Sequence, residues 1–334
     1  MAGTESLEAN LVAVASGDPL LCDVDLPLRG VYYPRGFAVE IMTNSPEVLA
    51  GCQESWGQFQ QSFSEPPLLL RVGVIGTGNG VCPPIPICRS WQNLFLNLAD
   101  AENYAVCDLR RGVGFAWITQ TAVENISYLR YTFLEACVMS MLSQKYLAPV
   151  HGACVRLQDR GVLLCGDSGA GKSSLAYACA RHGWTFVADD ASHLIRSRRE
   201  PTVVGNPSQI RFREAGVELF PELSMEVATA RVTGELAIEL PTSKVPEIAT
   251  ALTSSVEYVV FLNRRDPGPS CLVPFSKQVA SPWFEQVACF GEEEVRQAQR
   301  TSLHRLLDRP LLELRYRDLD WAVDRLEALV RNGA

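Results

Sequence analysis

The chain has 334 residues, 47% of them hydrophobic and 20% charged, which predicts globular structure with room for two domains and excludes a long disordered tract. A formal net charge of −8 argues against nucleic acid as the main partner, because a phosphate backbone is held by clustered Lys and Arg. No apolar run reaches the ~18 residues a membrane-crossing helix needs, so no membrane partner is expected.

In the first third, Gly36 to Ile41 alternates like a strand. It leads to Asn44 or Ser45 as an N-cap with Pro46 at the first helical position, and so predicts a helix to about Trp56. The stretch LLLRVGVIGTGNGVCPPIPI places Gly76 and Gly78 after an apolar strand, as a dinucleotide fingerprint would. The third glycine of that motif would fall on Val81, however, and Pro83, Pro84 and Pro86 bar the helix that should face a pyrophosphate, so the stretch reads as a hairpin or loop. From Ser127 to Gln144, Leu129, Phe133, Cys137 and Met141 recur at four-residue intervals and predict a helix with one buried stripe. Pro149 ends it. A mixed α/β accessory domain is therefore expected over 1–148 and a second domain over 149–334.

The second domain opens with two strands, Ala153 to Leu157 and Gly161 to Cys165, around a polar turn at Gln158 to Arg160. Directly after them, Gly166, Gly171, Lys172 and Ser173 satisfy G-x-x-x-x-G-K-[ST]. Glycines at 166, 169 and 171 let backbone N–H groups turn inward around phosphate oxygens, and the following helix adds its dipole. The expected nucleotide cradle is Gly166, Asp167, Ser168, Gly169, Ala170, Gly171, Lys172, Ser173 and Ser174. Lys172 would reach the β- and γ-phosphates of ATP, and the Ser173 hydroxyl would ligate Mg²⁺.

The helix should end at Gly183 in a left-handed cap. Next comes a strand, Thr185 to Ala188, and then Asp189 and Asp190, only seventeen residues after Lys172. Carboxylates at a strand's C-terminal end beside such a loop are placed for metal and for a reacting hydroxyl. Adjacent residues leaving a strand point to opposite sides, so the two acids should divide the work. Further strands are predicted at Glu257 to Leu262 and Leu311 to Tyr316, with helices from Glu292 to about Leu307 and from Leu319 to Arg331.

The run PVHGACVRLQDRGVLLCGDSGAGKSSLAYACARHGWTFVADD resembles the catalytic domain of HPr kinase/phosphorylase, and ATP-dependent phosphoenolpyruvate carboxykinase shares its order of loop, helix, strand and carboxylates. The resemblance is specific over about residues 149 to 225. It implies an α/β P-loop kinase domain of the HPr kinase/PEP carboxykinase type that moves the γ-phosphoryl of ATP to a serine-type hydroxyl of a protein, peptide or metabolite. By the same resemblance Asp189 is the general base, Asp190 and Ser173 hold Mg²⁺, and His151 lies near the base and the transferred group. Arg211, in Gln209-Ile210-Arg211, or Arg213 would steady transition-state charge, and Arg264 lies roughly where the family supplies another arginine.

Two departures stand out: Ser174 where family members carry Glu, and Gln209 where they carry Glu, with Glu214 a candidate substitute. Alternatives are a carboxykinase-like enzyme and a nucleotide-binding regulatory module without transfer activity. Family precedent points to a homo-oligomer. The eleven cysteines show no C-x-x-C pair, most sit among apolar neighbours, and no signal stretch is read at the N-terminus, so reduced core thiols in a cytoplasmic protein are expected. The short clusters Arg196, Arg198 and Arg199, and Arg264 and Arg265, read as solvated surface.

Overall fold

The computed structural model describes residues 25–76, 80–226, 228–230, 236–264, 268–287, 289 and 291–333. Gly78 and Arg265 lie outside them. The chain is mixed α/β, and its contacts gather into two units divided between Met141 and Leu142.

The first unit is built on strands β1 (Leu28–Tyr32), β2 (Val39–Thr43), β3 (Leu68–Ile75), β4 (Ile87–Trp91), β5 (Leu94–Leu98), β6 (Tyr104–Asp108) and β7 (Val113–Thr119). They form one sheet in the order β1-β2-β3-β7-β6-β5-β4. The predicted strand at Gly36 starts later, at Val39, because Arg35 and Gly36 take φ of 55° and 83° in a tight turn. Ser45 caps the helix Pro46–Trp56 by position, yet its hydroxyl donates to Glu47, while Asn44 exchanges hydrogen bonds with the backbone of Val74. β3 is not a hairpin arm: it runs parallel to β2, from which the chain crosses through the helix Pro46–Trp56, and it also runs parallel to β7. The predicted Ser127–Gln144 helix is interrupted by π-helical turns over Leu129–Glu135 before it continues as Ala136–Lys145. Its predicted stripe, Leu129, Phe133, Cys137 and Met141, is fully buried.

In the second unit, β8 (Leu147–Leu157) and β9 (Arg160–Cys165) form the predicted hairpin, with Gln158 at φ 56° in its turn. Then come β10 (Thr185–Ala188), β11 (Ala191–Ile195) and β12 (Thr202–Val204). β13 (Gln209–Phe212), β14 (Ala228–Ala230) and β15 (Leu236–Pro241) make a small separate sheet in the order β13-β15-β14. β16 (Thr253–Asn263), β17 (Cys271–Pro274) and β18 (Leu311–Arg315) complete the main one. β8 pairs through its first half with β11 and through its second half with both β9 and β10, and β16 lies parallel to β9 and β18.

Both faces of this sheet are covered, which explains why β8, β9 and β16 are apolar at successive positions rather than at every second one. Ala153, Val155, Val162, Leu164 and Val260 pack on one side with residues of the helices Lys172–Arg181 and Leu319–Asn332. Cys154, Leu163, Cys165, Val259 and Phe261 pack on the other with residues of Lys277–Glu285 and Glu293–His304. Burying one such aliphatic side chain contributes about 1.5–3 kcal/mol, so this double layer holds the C-terminal strand ends rigidly in place. At those ends lie the loop after β9, Asp189 and Asp190 after β10, Arg264 after β16 and Tyr316 after β18.

All described cysteines are free thiols. Cys52, Cys107, Cys137, Cys154, Cys165 and Cys179 are buried, but Cys82 and Cys88 are exposed, and Cys271 and Cys289 half-exposed. No helix among the described residues is long and apolar enough to cross a membrane.

Candidate active site

The loop from Gly166 to Gly171 turns on three glycines with φ of 147°, 84° and 95° at 166, 169 and 171. Gly171 is the tightest in chemical terms. A Cβ there would lie 2.8 Å from Tyr316 Oη and 2.9 Å from Arg264 Cδ, so only glycine lets these two side chains pack beneath the start of the helix Lys172–Arg181.

Lys172 is buried, 5% exposed, and its Nζ is surrounded by acceptors. It donates to the carbonyls of Gly166 at 2.9 Å and Asp167 at 3.2 Å, and lies 3.1 Å from His151 Nε2 and 3.2 Å from Asp190 Oδ1. An ammonium has three N–H bonds, so four acceptors overfill it, and at least one contact must yield when a stronger anion enters. Desolvation first, with Lys172 assisting against the opposing field of Asp190, holds the His151 pKa below the ordinary histidine value. The imidazole is therefore neutral near pH 7 and offers the Nε2 lone pair to Lys172, with Asp190 Oδ1 3.3 Å away.

Asp189 and Asp190 diverge, as strand geometry requires. Ser173 Oγ donates to Asp189 Oδ1 at 2.5 Å, and the backbone N–H of Arg211 on β13 donates to Asp189 Oδ2 at 2.8 Å. Desolvation raises the Asp189 pKa above the ordinary carboxylate value, against the lowering effect of these two hydrogen bonds. The resemblance implies that Ser173 and Asp190 share Mg²⁺, yet it is the other acid that touches Ser173. The side chain turned toward Ser173 is that of Asp189, while Asp190, with 47% of its side chain exposed, faces Lys172 and His151.

Ser173, Ser174, Asp189 and Asp190 share a cavity of about 400 Å³ with the loop. Arg211, Arg213 and Arg264 line it too, and each is already engaged. Arg211 Nε pairs with Glu239 at 3.0 Å, Arg213 donates to Ser168 Oγ at 2.7 Å, and Arg264 sits 5.6 Å from the centre of the Tyr316 ring. Gln209 and Glu214 do not line the cavity. Glu218, Leu219 and Leu236 do, and no motif marks them. Among the described residues no three His, Cys, Asp or Glu side chains form a metal cage. The hard oxygens of Ser173 and Asp189 beside a phosphate cradle nevertheless fit Mg²⁺, which takes few protein ligands and completes its shell with phosphate oxygens and water.

The family profile described as HPr Serine kinase C-terminal domain matches residues 142–215. That segment is HPr-kinase-like. The HPr kinase/phosphorylase of Lactobacillus delbrueckii subsp. bulgaricus is 42% identical over 80 residues, 22% of this chain and 25% of that protein. The HPr kinase/phosphorylase of Shouchella clausii is 43% identical over 84 residues, 24% of this chain and 26% of that one. The chain therefore spans about a quarter of the length of the curated relatives it matches. The solved HPr(Ser) kinase/phosphatase from Coxiella burnetii aligns at 14% identity with a TM-score of 0.32, covering 55% of this chain and 94% of that one.

Proposed function

We propose that the chain is an ATP- and Mg²⁺-dependent phosphotransferase of the HPr-kinase type, acting on a serine-type hydroxyl. The observation that carries this reading is that two acids leaving one strand end engage two successive residues of one phosphate loop: Asp189 with Ser173 and Asp190 with Lys172.

The N–H groups of the loop would surround the β- and γ-phosphates, and Lys172 would exchange part of its overfilled shell for phosphate oxygens. Ser173 and Asp189 would hold Mg²⁺, which when bound neutralises charge on the phosphates. Asp190, half-exposed and beside a neutral His151, would take the acceptor's proton. In the transfer the hydroxyl oxygen bonds to the γ-phosphorus, the bond from that phosphorus to the β,γ-bridging oxygen breaks, ADP leaves, and the proton goes to the Asp190 carboxylate. Arg213 and Arg264 line the same cavity as the loop and Asp190, and they suit the charge that spreads over the γ-phosphoryl oxygens. This reading exchanges the roles that the resemblance implies for the two aspartates.

The test incubates the purified chain with γ-labelled ATP and a cell lysate. Wild type should label an acceptor, Asp190→Asn should bind ATP but not transfer, and Asp189→Asn should lose Mg²⁺-dependent ATP affinity. Transfer by Asp190→Asn at the wild-type rate overturns the assignment. ATP binding by wild type with no labelled product supports a non-catalytic nucleotide module instead.

A further inference from the structure

Two cavities flank the phosphate loop and meet at Ser168 and Asp190, which line both. The first carries Lys172, Arg211, Arg213 and Arg264 on its wall and suits a triphosphate. The second, about 480 Å³, has His151, Asp167, Asp190, Trp283, Gln286 and Val287 on its wall, and none of its described wall residues is a lysine or arginine. A third, about 290 Å³, shares Gly166, Asp167, Ser168 and Trp283 with the second and extends it toward Phe275 and Glu313. The second and third together make a trough that runs past Trp283 and ends at Asp190.

Resting on the kinase reading above, we infer that this trough is the acceptor site, and that it selects a serine within a peptide segment whose neighbours are apolar or basic and not acidic. The junction at Asp190 is where a hydroxyl in the trough meets a γ-phosphate held in the first cavity. A trough built from two cavities is longer than one free amino acid needs, which favours a peptide. Its indole is held firmly: Trp283 stands edge-on to Phe261 with centroids 5.3 Å apart and to Phe284 at 5.1 Å, a rigid apolar surface on the route to Asp190.

Charge supplies the discrimination. Asp167, joined by Asp190 once Lys172 turns from it to the phosphates, repels an acidic flank. Glu313 is already engaged by Asn263 and Arg315, so it adds little. Arg264 is the one described cation at the far end, shared with the first cavity. The same two acids would hasten departure of the phosphorylated product.

The test uses short peptides with one central serine and alanine neighbours, carrying flanking lysines, flanking glutamates or neither, with free L-serine as a fourth acceptor. Transfer from labelled ATP is measured alongside ATP affinity. Wild type should favour the neutral and lysine peptides over the glutamate peptide by roughly fivefold or more, as one unit-charge interaction at partly screened distance implies. Gln286→Arg places a cation on an exposed part of the trough wall and should shift that ratio toward the glutamate peptide by a similar factor, with ATP affinity unchanged. Trp283→Ala should lower transfer to every peptide by roughly tenfold while Trp283→Phe keeps most of it, again with ATP affinity unchanged.

Equal use of the glutamate peptide by wild type, an unshifted ratio in Gln286→Arg, or free serine serving as well as the peptides overturns the inference. So does labelling of a lysate acceptor with none of the peptides used. The absence of any labelled product, in lysate or with peptides, overturns the kinase reading itself.

Discussion

Ser173 Oγ and Asp189 Oδ1 lie 2.5 Å apart, joining the first turn of the helix after the loop to the end of β10. Because desolvation raises the Asp189 pKa, the folded protein binds that proton more tightly than the unfolded chain does, and stability falls as pH rises through the interval between the unfolded and folded values. Asp189→Asn should therefore stabilise the nucleotide-free protein above that interval, by roughly 2–4 °C in melting temperature for each kilocalorie recovered. The serine hydroxyl can rotate to accept from the new amide while the amide oxygen keeps the Arg211 N–H. Melting curves across pH check this, and the gap between variant and wild type should close in acid. Ser173→Ala should act in the opposite direction, since it removes a donor that lowers the Asp189 pKa.

Lys172→Met removes the ammonium that Gly166, Asp167, His151 and Asp190 all face. Charge-assisted hydrogen bonds contribute about 1.5–3 kcal/mol each, so losing one phosphate contact predicts roughly 10- to 100-fold weaker ATP binding. Calorimetric titration reads it directly. The variant should also be less stable without nucleotide, because the carbonyls it leaves behind lose their donor.

His151 titrates below the ordinary histidine value, mainly through desolvation. A depressed histidine pKa means that the stability from the neutral ring is fully present above the unfolded value near 6.5 and is lost as pH falls through the folded value. Phosphoryl transfer should decline over the same acid interval, since a protonated ring would repel Lys172 and compete for Asp190. His151→Asn should flatten that limb of the pH–rate profile while leaving the alkaline side unchanged. An acid limb identical in variant and wild type would assign the titration to another group.

Local chemistry explains what was readable from the amino-acid order. The loop, its helix and β10 are consecutive, and their glycines and apolar runs dictate each conformation without help from distant residues. The divergence of Asp189 and Asp190 also followed from strand alternation. Which acid meets Ser173 did not, because that depends on β13 supplying the Arg211 N–H to Asp189 from a separate sheet. Tyr316, Glu218 and Trp283 were equally hidden: they reach the loop from other elements, and no spacing in sequence records that approach. In the first third, the tight turn at Arg35 and the π-helical turns at Leu129–Glu135 are backbone choices imposed by packing, so periodicity located the buried stripe but not the interruption.

Tyr316 and Gly171 give the most specific test of how the loop is supported. The tyrosine is 2% exposed and its hydroxyl has no hydrogen-bond partner among the described residues, a burden of about 1–3 kcal/mol. Tyr316→Phe should therefore raise the melting temperature. Gly171→Ala should lower it for three reasons, a φ of 95°, a Cβ 2.8 Å from that hydroxyl and the same Cβ 2.9 Å from Arg264 Cδ, whereas Gly169→Ala carries only the first, its nearest neighbour being Arg213 at 3.5 Å. Removing the hydroxyl should relieve the second reason alone. The double variant Gly171→Ala with Tyr316→Phe should then be more stable than the sum of its singles by about 0.5–3 kcal/mol, while Gly169→Ala with Tyr316→Phe should add simply. Denaturant unfolding of the five variants and the wild type measures both couplings, and equal coupling at 169 and 171 would remove Tyr316 from any role in shaping the loop.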